Sequence, residues 1–238
     1  MARTPKPSGT RKSGPRGRTR NPRRTERRRR FLIVTEGEIT EPQYFERLQQ
    51  NLPPDRDYNL VIRPKPKGKG IGTWESSPEA VVKKCLDYKT KDEKEHAEDK
   101  SGDRMPYEEC FAVVDVDQWD SVASGKTTSV LKRAIELADK NGINLVISNI
   151  KFEVWLLWHA CDHSETDSKK LDQLCEENKL LDGKKLTISF PIDKYPEATK
   201  RARECHKTDL SEKGPCPSSA VPALLKVVGA IPEISCRN

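Results

Sequence analysis

The chain predicts an α/β fold, a parallel sheet flanked by helices, preceded by a disordered basic tail. Short apolar runs at Phe31–Val34, Leu60–Ile62, Phe111–Val114 and Leu145–Ile147 suit strands buried on both faces. Segments of helical spacing separate them, and the resulting β-α-β-α-β-α-β order is that of a parallel sheet with crossover helices. Residues 1–30 hold 13 of the 44 Lys and Arg and only 1 of the 37 Asp and Glu, with no apolar stretch. Such a segment cannot bury enough surface to offset its ordering entropy.

The first strand covers residues 31–34 and stops at Thr35-Glu36-Gly37. Thr40-Glu41-Pro42 reads as a helix start, with Thr40 as N-cap, an acidic first turn and an early proline. Tyr44 and Leu48, with Phe45 beside them, form the buried face of that helix before Asn51-Leu52-Pro53-Pro54 stops it. A second strand runs from Tyr58 to Arg63. Residues 64–72 form a Gly- and Pro-rich loop carrying Lys65, Lys67 and Lys69. It suits either a phosphate-facing loop or an ordinary surface loop, and it lacks the Gly-Lys-Ser/Thr ending of a P-loop.

Ser77 caps a helix to about Lys89, and the charged residues 90–106 read as a solvated loop. Phe111–Val114 is the central strand. Thr127 or Thr128 starts a helix to Lys140 that Asn141-Gly142 ends with a left-handed stop. Leu145–Ile147 is a further strand, followed by a helix over Phe152–Cys161. Residues 164–184 read as an amphipathic helix, Leu186–Phe190 as a short strand and Pro196–His206 as a basic helix. Ser218 and Ser219 lead into a closing helix over Val221–Val228. The domain then spans 31–230, with a core over 31–160 and a helical addition over 161–230.

The basic charge is concentrated in the tail. Residues 1–30 carry a net charge of +12 and the remainder −5, from 31 basic and 36 acidic side chains. Arg23, Arg24, Arg27, Arg28, Arg29 and Arg30 close the tail, which reads as a nucleic-acid-binding arm held by phosphate contacts. A secretory signal would need an apolar stretch that the tail lacks, so a cytoplasmic location is expected. Seven cysteines with no paired spacing fit free thiols better than a disulfide framework. His159, Cys161 and His163 lack the repeated clip of a structural zinc site. No stretch has the length and apolarity of a membrane span.

Chemistry gathers at the strand ends. If the first and third strands lie in one parallel sheet, Glu36, Asp115 and Asp117 converge on the rim where open α/β sheets bind ligands. Carboxylates so close repel unless a cation sits among them, which implies a metal site. Glu153, in a first helical turn, is either part of that rim or a capping glutamate. His159 is either a core histidine or a supporting group.

The wording of these motifs resembles a known family. A Glu-Gly pair ending the first strand and Asp-x-Asp ending a later one resemble the Toprim domain of topoisomerases, primases and OLD-type nucleases. Val34-Thr35-Glu36-Gly37-Glu38-x-Thr40-Glu41-Pro42-x-Tyr44-Phe45 looks like the opening of RloB-like proteins. So do Val114-Asp115-x-Asp117, Ser148-Asn149-x-x-Phe152-Glu153-x-Trp155-Leu156-Leu157-x-His159, and Pro217-Ser218-Ser219. The resemblance spans roughly residues 30–230, and Ile150 stands where the family is expected to carry proline.

That resemblance implies a Toprim-like fold and a nuclease using Mg²⁺ or Mn²⁺, with Asp115 and Asp117 as ligands. Glu36 would be a ligand or the proton-transfer residue, and Glu38 and Glu153 would serve a second metal. Ser148, Asn149 and His159 would support the site. It also implies a phage-defence, abortive-infection effector working beside an ABC/AAA-type ATPase. The rival class is a non-catalytic RNA- or DNA-binding protein with a degenerate domain. A phosphotransferase using Asp-x-Asp is disfavoured, since Trp119 replaces the expected Thr or Val and Glu36-Gly37 has no role there.

Overall fold

The computed structural model describes residues 28–64, 76–102 and 104–231. Its elements in chain order are β1 (Arg29–Thr35), α1 (Thr40–Asn51), β2 (Tyr58–Arg63), α2 (Pro78–Glu98) and β3 (Tyr107–Asp115). Then come α3 (Val130–Lys140), β4 (Asn144–Asn149), α4 (Glu153–Leu157), α5 (Ser168–Glu177), β5 (Leu181–Asp182) and β6 (Lys185–Leu186). The chain continues with α6 (Tyr195–Cys205), β7 (Ser218–Ser219) and α7 (Val221–Val227).

The central sheet has the order β2-β1-β3-β4-β7. Its first four strands are parallel, and β7 runs antiparallel to β4. Alternate residues of each strand feed two cores. Phe31, Ile33, Phe111, Val113 and Val146 pack with α1, α4, α6 and α7 on one face. Leu32, Val34, Ala112, Val114 and Leu145 pack with α2 and α3 on the other. Burial on both faces explains why these strands read as unbroken apolar runs. From β1 the chain crosses to β2 over one face, and from β3 it crosses to β4 over the other. The order therefore reverses between β1 and β3, and their C-terminal ends frame the switch point at which such sheets bind ligands.

Several local expectations need correction. The strand starts at Arg29, inside the expected tail, because its arginines find carboxylates. Arg29 donates to both Glu108 oxygens at 2.6 and 2.5 Å, and Arg30 donates to Asp92 at 2.9 Å. Residues 90–98 are helical rather than a loop. Asp92, 3% exposed, also takes the Arg104 guanidinium at 2.6 Å and the Tyr107 N–H at 3.0 Å, which anchors this charged stretch of α2. Thr40 is not an N-cap; its hydroxyl donates to the Lys184 carbonyl at 2.7 Å. Ser129, not Thr127 or Thr128, caps α3 by accepting from the Lys132 N–H at 3.1 Å.

The segment expected to be one helix over 164–184 is α5 followed by the first strand of a small hairpin, and Leu186–Phe190 is a strand only at its start. β7 has no counterpart in the expected elements, since two residues carry no periodicity. Among the described residues no helix is long and apolar enough to cross a membrane. Residues 1–27 and 65–75 lie outside the described residues, and with them the expected roles of Arg23, Arg24, Arg27, Lys65, Lys67 and Lys69.

Candidate carboxylate site at the sheet switch point

The end of β1 turns sharply and is held by its own side chains. The Thr35 hydroxyl donates to the Gly37 carbonyl at 2.7 Å, and the Glu36 N–H continues the ladder to the Val113 carbonyl at 2.9 Å. This sends the Glu36 side chain across the end of β3. One oxygen, Oε2, accepts the Asp115 N–H at 3.0 Å, and Oε1 accepts the Trp119 indole N–H at 3.3 Å. Burial pushes the Glu36 carboxyl up to about 7, against the two hydrogen bonds, and the charges of Glu41 and Asp117 push the same way.

Glu41 joins this rim from the first turn of α1, a position sequence reasoning treated only as a favourable helix start. It is 7% exposed and accepts the Gly37 N–H on Oε1 at 3.0 Å. A Cβ on residue 37 would overlap the Glu41 carboxylate, so the Glu-Gly motif needs glycine for close approach, with no unusual φ involved. Burial, then the charge of Glu153, raises the Glu41 carboxyl to about 7, while Lys184 acts in the opposite sense.

Asp115 is the hub. It ends β3 beside Ser148 of β4. Burial and the charges of Glu41, Glu153 and Glu36, in that order, push its carboxyl well above the usual range, while a hydrogen bond from the Phe152 backbone opposes them. Glu153, the first residue of α4, is raised chiefly by burial and relieved by Lys151 and Lys184. The structure thus brings together Glu36, Glu41, Asp115 and Glu153. Asp117 is exposed on the lip, at φ 31°, its N–H bonded to the Ile150 carbonyl at 3.0 Å. Glu38 is exposed and is not among the charges that shift these four carboxyls.

The expected supporting residues occupy three different settings. Ser148 Oγ lies 3.0 Å from Ser219 Oγ across β4 and β7, and Asn149 donates from Nδ2 to the Gly214 carbonyl at 2.9 Å. His159 is 3% exposed in a ring of Tyr44, Trp155 and Phe190. Its Nδ1 lies 3.2 Å from the Trp155 carbonyl, which can only accept, so Nδ1 carries the hydrogen and Nε2 accepts from the Tyr44 hydroxyl at 3.3 Å. Burial drives this imidazole down to about 4, which makes it a neutral core group. Arg28 donates to the Pro54 carbonyl at 3.2 Å, and the Arg29 and Arg30 guanidiniums are engaged by Glu108 and Asp92.

The sequence model of the RloB-like protein family matches residues 31–228. The chain belongs to that family. No curated protein and no solved structure matches it. In this RloB-like protein Glu36-Gly37 and Asp115 meet at the switch point, where Glu36 accepts the Asp115 N–H. The donor chemistry there, carboxylate oxygens alone, suits a hard divalent cation. Among the described residues no group of three or more His, Cys, Asp or Glu is assembled to hold a metal ion. The carboxylates are therefore coupled through their charges without being arranged as a coordination sphere.

Proposed function

We propose that this RloB-like protein is a divalent-metal-dependent phosphodiesterase acting on nucleic acid. The supporting observation is Asp115, crowded by the charges of Glu41, Glu153 and Glu36 at the C-terminal rim of a parallel sheet. A carboxylate so placed is relieved either by protons or by a cation. Asp115, with Glu153 and Asp117 beside it, would hold Mg²⁺ or Mn²⁺. Such an ion would supply charge neutralisation at a scissile phosphate and orientation of the attacking water.

Glu36 does the proton work. With its carboxyl near 7 it exists in both protonation states at neutral pH, the condition for taking a proton from an attacking water and returning one to the leaving oxygen. The Asp115 N–H and the Trp119 indole hold its two oxygens in a fixed orientation. Gly37 and Glu41 set the turn that delivers it. The basic tail would gather the polyanion, with affinity that falls as salt rises. By the family resemblance, the substrate-directing element is an ATPase partner and the setting is phage defence by abortive infection.

Purified protein incubated with single-stranded RNA and DNA in Mg²⁺ or Mn²⁺ is expected to cleave slowly, and Glu36→Gln and Asp115→Asn are expected to abolish cleavage. Wild-type cleavage by both variants would overturn the assignment. The competing reading, a non-catalytic nucleic-acid binder, draws on the lack of an assembled metal cluster among the described residues. It predicts strand binding that no divalent cation converts into cleavage, with or without an ATPase.

A further inference from the structure

A cavity of about 810 Å³ lies between the C-terminal end of α6, the segment 206–210 and α7. Its wall carries Arg203, His206, Lys207 and Lys226 against a single carboxylate, Asp209. Bases of α6 and its N-cap outside the cavity are paired: Lys194 with Glu197, Lys200 with Glu204 and Arg201 with Asp162. Among the described residues neither Arg203 nor Lys207 lies in an ion pair, and both line the cavity. Two hydroxyls complete the polar lining, Thr208 at 6% exposure and Ser219 at 2%. The remainder of the wall is apolar, from Leu210, Pro222, Ala223 and Val227. Several positive groups beside an apolar wall suit a ligand with a phosphate and a planar, weakly polar body, and the volume is that of a small-molecule site.

The cavity is tied to the carboxylate rim by the sheet itself. Asp115 of β3 pairs with Ser148 of β4, and Ser148 pairs with Ser219 of β7, which lines the cavity. Two strand spacings separate Asp115 from Ser219, about 10 Å. We propose that this cavity binds a phosphorylated nucleoside, and that it thereby seats one nucleotide of a strand beside the rim. The second clause rests on the nuclease reading; the first does not.

The test is binding to the full chain in EDTA, where cleavage plays no part. The probes are UMP and dTMP as free nucleotides, and short fluorescein-labelled oligouridylate and oligothymidylate as strands. Arg203→Glu/Lys207→Glu should weaken binding at least about tenfold, since two charge-assisted contacts are lost. Ala223→Trp keeps every charge but fills the space from α7, and should do the same; Ala223→Leu replaces it if the tryptophan variant has lost its melting transition. Lys194→Glu/Lys200→Glu makes the same change in net charge outside the cavity and should alter binding by no more than about twofold.

A variant-sensitive affinity for UMP or dTMP upholds a site for free nucleotides, and sensitivity confined to the oligonucleotides upholds one for a nucleotide within a strand. The proposal is overturned if both cavity variants bind as wild type, if the wild type binds none of the probes, or if the Lys194/Lys200 variant is equally impaired. Failure of the nuclease reading would leave these binding results in EDTA as they are and show only as absence of cleavage by the wild type in Mg²⁺ or Mn²⁺.

Discussion

The Asp115 N–H donates to Glu36 Oε2 at 3.0 Å, which ties the end of β1 to the end of β3 through a side chain. The acid-base candidate is thus bonded directly to the backbone of the metal-ligand candidate. Glu41 and Glu153 close around Asp115 from the first turns of two helices on the same face of the sheet.

Apo stability should fall as pH rises. Glu36 and Glu41 titrate near 7 in the fold and near 4.5 when unfolded. Below about 4.5 both states hold the protons. Between about 4.5 and 7 the unfolded chain releases them and the folded chain keeps them, so stability declines through that window and levels off above it. Melting temperatures in EDTA across this range check the sign, and Glu36→Gln should gain on the order of 1–2 kcal/mol over wild type at pH 8. A wild-type melting temperature that climbs from pH 5 to 7.5 would contradict it.

Replacing Asp115 and Asp117 together by Asn should leave the metal-free protein at least as stable as before, because burial and neighbouring negative charge raise the Asp115 carboxyl. The same double variant should lose stabilisation by Mg²⁺ or Mn²⁺, about 1.4 kcal/mol at ten times Kd for an ion that binds only the folded state. A double variant that retains the full metal-dependent rise in melting temperature ends the metal reading.

Gly37→Ala should cost about 1–3 kcal/mol, since the new methyl group overlaps a carboxylate that is buried and bonded to residue 37 itself. Glu41→Ala opens that space. Denaturant midpoints of the two single variants and the pair should show the double change costing clearly less than the sum. Simple additivity would mean that Gly37 is needed for something other than room for Glu41.

Deleting residues 1–27 should leave the melting temperature unchanged and flatten the salt dependence of nucleic-acid binding by about 0.7–0.9 in the log–log slope for each phosphate contact removed. Deleting residues 1–30 should in addition lower the melting temperature, because the Arg29–Glu108 and Arg30–Asp92 pairs go with it. Equal melting temperatures for the two deletions would place those arginines back in the tail.

Asp92→Ala should destabilise the fold by about 1–3 kcal/mol, since it removes the carboxylate shared by Arg30 and Arg104 and orphans the Tyr107 N–H, while Glu95 still pairs with Arg104. Thermal unfolding is the readout, and a change below about 1 kcal/mol would show that the charged end of α2 is held by something else.

What the sequence determined by itself was everything that repeats or is local. Strands buried on both faces must be unbroken apolar runs, so Phe31–Val34 and Phe111–Val114 identify themselves, and the alternation with helices makes the sheet parallel. Parallel topology then carries Glu36 and Asp115 to one edge without any knowledge of side-chain contacts. The family membership follows from a sequence match over residues 31–228, which needs no tertiary contact.

The tertiary structure decided what depends on partners distant in sequence. Arg30 belongs to the fold because Asp92 stands opposite it, 62 positions away. Glu41 belongs to the carboxylate rim because α1 packs on the sheet face that carries α4, while Glu38, three residues earlier, turns to solvent. β7 exists only because β4 has an open edge, and with it comes the wall that joins the basic cavity to the rim. Periodicity records how a residue meets its own element. Whether a charge ends buried beside a like charge, paired with an opposite one, or in water is set by the packing of elements, which no local pattern encodes.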